Sequence, residues 1–199
     1  MPQRRFTPIL AIAGLLLGAA VTGSMLSAHG FTTEGWQLAA RYTARTSFLL
    51  FLWPYLASSL ARLWPNGVTR TVLRERRGFG LAFAGAHGVH FAALVMFFQV
   101  SGETPSPVTL ALGGFGYVLV ALMAATSNNA SVRLLGRNWP RLHTFALHYV
   151  WFIFVATYAG RIAKHPDMGE YVVLISLAFA ALAVRLAAMM KRQAIEAAT

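Results

Sequence analysis

Long apolar runs alternate with short polar stretches along the whole chain, and this pattern predicts membrane-spanning helices. Six runs approach the ~20 residues that a helix needs to cross a ~30 Å hydrocarbon core. The stretches between them are too short for a separate soluble domain. We therefore expect an all-α, polytopic membrane protein: a six-helix bundle that forms one transmembrane domain over residues 1–199. The predicted spans lie at about 6–28, 36–63, 78–100, 107–126, 139–163 and 169–190.

Composition agrees with this pattern and narrows the chemistry. Hydrophobic residues make up 57% of the 199 residues and charged residues 12%, which is too apolar for a soluble domain of this size. The absence of cysteine excludes disulfides, thiolate metal sites and thiol redox chemistry. All six acidic residues fall in predicted loops, at helix ends or in the carboxyl tail, so we expect no carboxylate site inside the membrane. Chemistry within the membrane is left mainly to histidine and arginine.

The basic residues mark one side of the membrane. Lysine and arginine concentrate at the amino end (Arg4 and Arg5), in the predicted loops 64–77 and 127–138, and at the carboxyl end. The opposite loops have few basic residues apart from Arg161 and Lys164. This distribution is typical of an orientation signal, so the net charge of +11 does not indicate nucleic-acid binding. It predicts a multi-pass protein of a bacterial-type cytoplasmic (inner) membrane with both termini in the cytoplasm.

Arginine also occurs early in the second apolar run, where Arg41 and Arg45 lie one turn apart on one helix face. Two interpretations are open. The side chains either extend to the lipid headgroups, or Arg45 holds an acidic group, such as a haem propionate, between helices.

The fourth run is rich in small residues, including Gly113, Gly114 and Gly116. Such residues allow close helix contacts or the close approach of a planar ligand.

Four histidines lie inside two of the predicted spans: His87 and His90 in the third, His143 and His148 in the fifth. An ionisable side chain inside a membrane is costly and usually marks a function. Imidazoles that face each other from two helices can hold a b-type haem, whereas the alternative is four structural histidines. His87 and His148 each lie nine residues from a cytoplasmic helix end, about 13 Å deep, so depth alone pairs those two.

Three stretches resemble the ferric reductase-like transmembrane domain family. They are YTARTSFLLFLWPYLASSLARLW, which contains Arg45, RERRGFGLAFAGAHGVHF, and AATSNNASVRLLGRNWPRLHTFALHYVWF. Within that family they are most similar to the haem-binding membrane subunits of periplasmic methionine sulfoxide reductase systems. The resemblance covers about residues 41–158 in the expected order and spacing.

This resemblance implies a bundle that passes electrons across the membrane through one or two b-type haems. It implies that His90 is a ligand of the outer haem and that His143 is a ligand of the inner haem. It also implies that Arg76 lies beside the inner haem. In the family, the second ligand of the outer haem lies on the fifth helix. The corresponding position here is Ala156, which cannot bind iron. A re-paired site such as His87 with His148, an outer haem with one protein ligand, and a bundle that has lost haem all remain open.

We therefore expect an electron-transfer subunit rather than a self-contained enzyme. The chain has no nucleotide-binding fingerprint, so flavin or quinone would come from a partner. The donor would be a cytoplasmic flavin reductase or quinol that docks on the basic segments 70–77 and 133–141. The acceptor would be an outward-facing redox partner or a larger membrane complex. The alternative is a haem-free structural or assembly subunit of such a complex.

Overall fold

The computed structural model describes residues 6–165, 167 and 169–197, so Arg4 and Arg5 of the predicted basic start lie outside the described residues. Within this part of the chain all regular secondary structure is helical, which confirms the all-α prediction. The helices are α1 (Thr7–His29), α2 (Thr33–Leu63), α3 (Gly67–Arg74), α4 (Arg76–Ser101), α5 (Pro107–Ala125), α6 (Asn129–Leu135), α7 (Asn138–Lys164) and α8 (Gly169–Ala197).

Five of these helices, α1, α4, α5, α7 and α8, are long and apolar enough to cross a membrane. This confirms the prediction of a multi-pass membrane protein. Helix α2 has 31 residues but falls outside this group, because Glu34, Arg41, Arg45 and Arg62 interrupt its apolar surface. Length and composition therefore support five spans, where the sequence pattern predicted six.

The two basic segments predicted as loops each contain a short helix, α3 and α6, which corrects that prediction. Helix α3 begins with a capping box, in which the Asn66 side chain accepts from the Thr69 N–H and the Thr69 hydroxyl accepts from the Asn66 N–H. Helix α6 begins where the Asn128 side chain accepts from the Ser131 N–H at 2.8 Å. The arginines of these segments are thus carried on ordered helices.

Helix α2 lies at the centre of the bundle. It packs against α1, α4 and α8, while α7 packs against α5 and α8. Phe48, Phe51 and Tyr55 of α2 are fully buried and form one apolar core with Phe83 of α4 and Phe154 of α7. Within the described residues, the backbones of α4 and α7 do not approach each other to a similar extent. The two histidine-bearing helices are therefore separated by side chains and open space.

Helix α1 approaches α4 so closely that glycine is required at the contact. A Cβ atom on Gly14 would lie 2.2 Å from the Ala82 carbonyl oxygen, and one on Gly18 would lie 3.0 Å from the Val89 Cβ. Because backbone lies on the other side of the Gly14 contact, neither helix can make room by turning a side chain.

Substitution of Gly14 by alanine should therefore loosen the bundle. We expect Gly14→Ala to destabilise the purified protein by about 1–3 kcal/mol, the usual cost of overpacking. The matched control is Gly23→Ala on the same helix, where a Cβ meets nothing within 4 Å and the change should be neutral. Thermal unfolding in detergent, followed by circular dichroism, measures both. Equal melting temperatures for the two variants would contradict the close α1–α4 contact.

Candidate functional site

A cavity of about 400 Å³ lies between α4 and α7, the two helices that carry the intramembrane histidines. Its apolar walls are formed by α4, α5 and α7. Basic side chains line it at several points, and His143 is the histidine among its lining residues. The residues that line the cavity include Arg76, Arg77, Gly80, Phe83, Ala84, Met123, His143, Leu147 and Arg185.

The corner where α5 meets α7 fixes the position of His143. The His143 ring stacks on Trp139 with ring centroids 4.0 Å apart. The Trp139 indole N–H donates to the Thr126 carbonyl at 2.8 Å, and the Thr126 hydroxyl lies 3.0 Å from His143 Nε2. The side chains of Thr126, just after α5, and Trp139, at the start of α7, thus hold the imidazole at the cavity wall.

His87 and His90 form a second cluster, on the face of α4 that meets α2. Their rings are 5.3 Å apart, and His87 stacks on Tyr117 of α5 at 4.8 Å. Ser47 Oγ lies 3.0 Å from His87 Nδ1, and Thr43 Oγ1 lies 3.3 Å from His90 Nδ1. Both hydroxyl residues belong to α2 and are fully buried. This cluster is therefore a polar contact between α2 and α4.

The hydroxyl hydrogens decide which nitrogen of each ring carries a lone pair. Thr43 donates to the Ala39 carbonyl at 2.6 Å, and Ser47 donates to the Ala44 carbonyl at 2.9 Å. Since each hydroxyl has one hydrogen, the N–H at Nδ1 of His90 and of His87 must be the donor in the imidazole contacts. The lone pair then lies on Nε2 of both rings, an arrangement suited to a ligand-binding histidine.

The same argument gives the opposite result for His143. The Thr126 hydroxyl donates to the Leu122 carbonyl at 2.6 Å, so Nε2 of His143 donates to Thr126 and the lone pair lies on Nδ1. A metal bound at Nε2 would replace the Thr126 contact.

His148 lies apart from both groups. Its Nδ1 donates to the Thr144 carbonyl at 2.8 Å, and its ring meets Tyr55 edge-on at 5.9 Å. The pairing of His87 with His148 stays a prediction. The His87 ring contacts Phe83, His90, Tyr117 and Phe154, whereas the His148 ring contacts Tyr55 of α2.

The predicted propionate partner Arg45 meets a carboxylate from the chain itself. Arg45 forms an ion pair with Glu170 at the start of α8. Its guanidinium lies 4.8 Å from the Tyr42 ring and 5.1 Å from the Tyr171 ring. The Nε atoms of Arg41 and Arg45 and the Tyr158 hydroxyl are buried without a hydrogen-bond partner among the described residues. Arg45 thus joins the predicted outward ends of α2 and α8.

The inner position contains residues of the kinds that could hold a b-type haem. The cavity is of the size and largely apolar lining that suit a cofactor. A Cβ on Gly80, in its wall, would meet nothing within 4 Å. His143 supplies one imidazole, and Arg76, Arg77 and Arg185 supply cations for acidic groups. The predicted inner residues His143 and Arg76 are brought to this one cavity.

The residues of the outer position do not fit a haem held by two histidines. His87 and His90 come from the same helix, and α7 presents Phe154 to them. Phe154 is itself packed on Phe48 at 5.0 Å, in a filled aromatic core. Ala156 is exposed and has no donor atom. Among the described residues, no group of three or more His, Cys, Asp or Glu side chains could hold a metal ion.

The fold and the site define a multi-pass helical membrane protein with a cation-lined cavity beside an imidazole. No family model matches the chain, and no solved structure matches it. The chain is 30% identical over 127 residues to the protein-methionine-sulfoxide reductase heme-binding subunit MsrQ of Cronobacter sakazakii. The alignment covers 56% of this chain and 62% of that protein. This distant relationship confirms the resemblance to a ferric reductase-like transmembrane protein.

Three groups in these sites were not singled out from the sequence. Arg185 lines the cavity, although a lone arginine near the end of an apolar run is usually taken as a headgroup contact. Thr43 and Ser47 hold the α4 histidines. In the sequence, Thr43 and Ser47 are four residues apart and His87 and His90 are three apart, so each pair lies on one face of its helix. This matching spacing was the signal that could have identified the contact.

The cavity should be open to small reagents. Because the chain has no cysteine, single cysteines can be introduced as probes. We expect Ala84→Cys, in the cavity wall, to react with N-ethylmaleimide about tenfold or more faster than Ala86→Cys, two residues along α4 and fully buried. Labelling of the detergent-purified variants, followed by mass spectrometry, gives the rates. Similar rates at both positions would argue against an open cavity.

Proposed function

We propose that this protein is a b-type haem-binding membrane subunit that relays electrons across a cytoplasmic membrane. The observation that carries the proposal is the cavity between α4 and α7, which combines His143 with Arg76, Arg77 and Arg185. The distant similarity to a heme-binding subunit supports it. The misfit of the outer position favours one haem rather than two.

Different residues of the cavity would hold different parts of the haem. His143 would bind the iron, and Trp139 would keep its ring in place by stacking. The arginines would bind the acidic groups, because guanidinium forms strong charge-assisted hydrogen bonds with carboxylates. Phe83, Met123 and Leu147 would exclude water from the ring faces. When bound, the haem accepts and donates single electrons.

We infer that α2 is the sixth span. It packs along α1 and α4, both apolar enough to span, and its polar side chains face protein: Thr43 and Ser47 are buried, and Arg45 pairs with Glu170. Polar residues in a membrane normally face the bundle interior in this way. Six spans and the basic segments α3 and α6 on one side would put both termini in the cytoplasm of a bacterial-type inner membrane.

The direction of transfer would follow from this orientation. The cavity lies at the end of the bundle that carries α3, α6 and their arginines, so a cytoplasmic flavin reductase or quinol would reach it. Towards the other end, Phe83, His87, Phe154 and Tyr158 form a continuous series of ring contacts of 5.2–6.1 Å. The acceptor would be an outward-facing redox partner or a larger membrane complex.

A haem-free structural or assembly subunit is the second candidate. The observation that favours it is that the polar contacts of all four histidines are made within the protein, as in an ordinary core. The haem content of the protein distinguishes the two functions.

Purified protein should contain about one haem per chain and give a dithionite-reduced b-type spectrum. We expect His143→Ala to lower haem affinity about tenfold or more, because losing even the groups that support a metal ligand typically costs 10–100-fold. His148→Ala is the matched control on the same helix and should retain haem, as should His90→Ala. Pyridine haemochrome quantification measures each. A wild type that takes up no haem would leave the structural function instead.

Reversing charge on the two short helices should slow electron entry. We expect the triple variant Arg70→Glu, Arg133→Glu, Arg137→Glu to be reduced several-fold more slowly by a soluble NADH-dependent flavin reductase with free flavin. The difference should shrink at high salt. Arg161→Glu with Lys164→Glu, at the other end of the bundle, is the control. Stopped-flow absorbance of the haem gives the rates, and an unchanged rate in the triple variant would remove the docking surface from the proposal.

A further inference from the structure

Arg185 is the one residue of α8 between Glu170 and Lys191 that is charged at neutral pH. It lies six residues before Lys191, about 9 Å along the helix axis, so it belongs to the apolar part of the helix. An arginine at such a position is costly and usually has a function. Its side chain does not extend towards the end of α8 but turns inward to the cavity.

Two contacts with α2 hold the guanidinium in place. Arg185 Nη1 donates to the Tyr55 carbonyl at 2.5 Å, and the guanidinium carbon lies 4.5 Å from the centroid of the Tyr55 ring. Tyr55 is fully buried, and its own ring packs on Phe51 at 5.1 Å. The cation is thus fixed by a backbone dipole and an aromatic face, both of which belong to the rigid core.

These contacts leave the positive charge of Arg185 without a counter-ion. The ion pairs formed by the described residues do not include Arg185, and the cavity lining contains no aspartate or glutamate. Arg45 shows the contrast, since Glu170 neutralises it at the other end of the bundle. A half-buried cation that faces a cavity and has no carboxylate in the cavity lining is a site for an anionic group of a ligand.

We propose that Arg185 is a cofactor-positioning residue that binds a carboxylate of the ligand in this cavity. Resting on the proposed function, the inference identifies that carboxylate as a propionate of the haem held beside His143. Arg185 would fix the orientation of the ligand through a charge-assisted hydrogen bond. Its positive charge would also stabilise the reduced form, so the residue influences the midpoint potential without touching the iron.

The test compares Arg185→Gln with two reference variants. Arg185→Gln removes the charge while keeping a donor for the Tyr55 carbonyl, and Arg185→Lys retains the charge. The matched control is Arg62→Gln: Arg62 Nη1 likewise donates across the α2–α8 contact, to the Ala188 carbonyl at 3.4 Å, but Arg62 does not line the cavity. The readouts are the rate of haem transfer to apomyoglobin and the midpoint potential from a spectroelectrochemical titration.

We expect Arg185→Gln to release haem about tenfold or more faster, and to have a lower midpoint potential than the wild type. Arg185→Lys should largely restore the potential, and Arg62→Gln should change neither quantity. If Arg185→Gln does not fold, a wild-type potential combined with faster haem release in Arg185→Lys still supports the assignment, because a lysine keeps the charge but loses the guanidinium geometry.

Three results would overturn the inference. Haem-loaded Arg185→Gln with wild-type release and potential would refute the role of Arg185 and leave the proposed function standing, as would equal changes in Arg185→Gln and Arg62→Gln. A wild type that neither contains nor takes up haem would refute both.

Discussion

The structure depends on how α2 satisfies its polar side chains inside an apolar bundle. A buried polar side chain needs hydrogen-bond partners, and the hydroxyls and Arg45 of this helix find them on α2 itself and on other helices. Thr43 and Ser47 meet the imidazoles of α4, and Arg45 meets Glu170 of α8. Tyr55 accepts the guanidinium of Arg185 through its carbonyl. These contacts fix both α4 and α8 around α2, and the remaining helices pack on that frame.

The cavity follows from the same arrangement. With α4 held against α1 and α2, and α7 held against α5 and α8, the two histidine-bearing helices share little contact surface. Aromatic rings fill the half of this gap around Phe154, and the other half remains open beside His143. A site thus forms between two helices that pack mainly on other helices, and the basic residues of α4 and α8 determine what kind of ligand suits it.

Much of the fold could be predicted from the apolar pattern, because hydrophobic length alone distinguishes five of the helices. The pattern was less informative for α2, whose polar side chains contact neighbouring helices that the sequence does not reveal. It also missed α3 and α6, which are too short for periodicity to register and depend on caps at Asn66 and Asn128.

The site was predicted in part. His143 and Arg76 line one cavity, whereas His87 and His148, at equal depth, have different ring neighbours, because depth carries no information about helix rotation. Glycines illustrate the same limit. Gly113 and Gly114 of α5, singled out for close contacts, face open space, whereas Gly14 of α1 lies against backbone. Only the assembled bundle determines which small residue is needed.

The backbone contact at Gly14 has a mechanical consequence. At Gly14 no side chain can rearrange to let the helices slide, so α1 and α4, with α2 packed on both, should move as one block. The cavity wall opposite this block is built on α5 and α7, which are joined by the short α6. Any widening of the cavity that lets a planar ligand enter or leave will therefore come from displacement of α5 and α7. Helix α4 would keep its position.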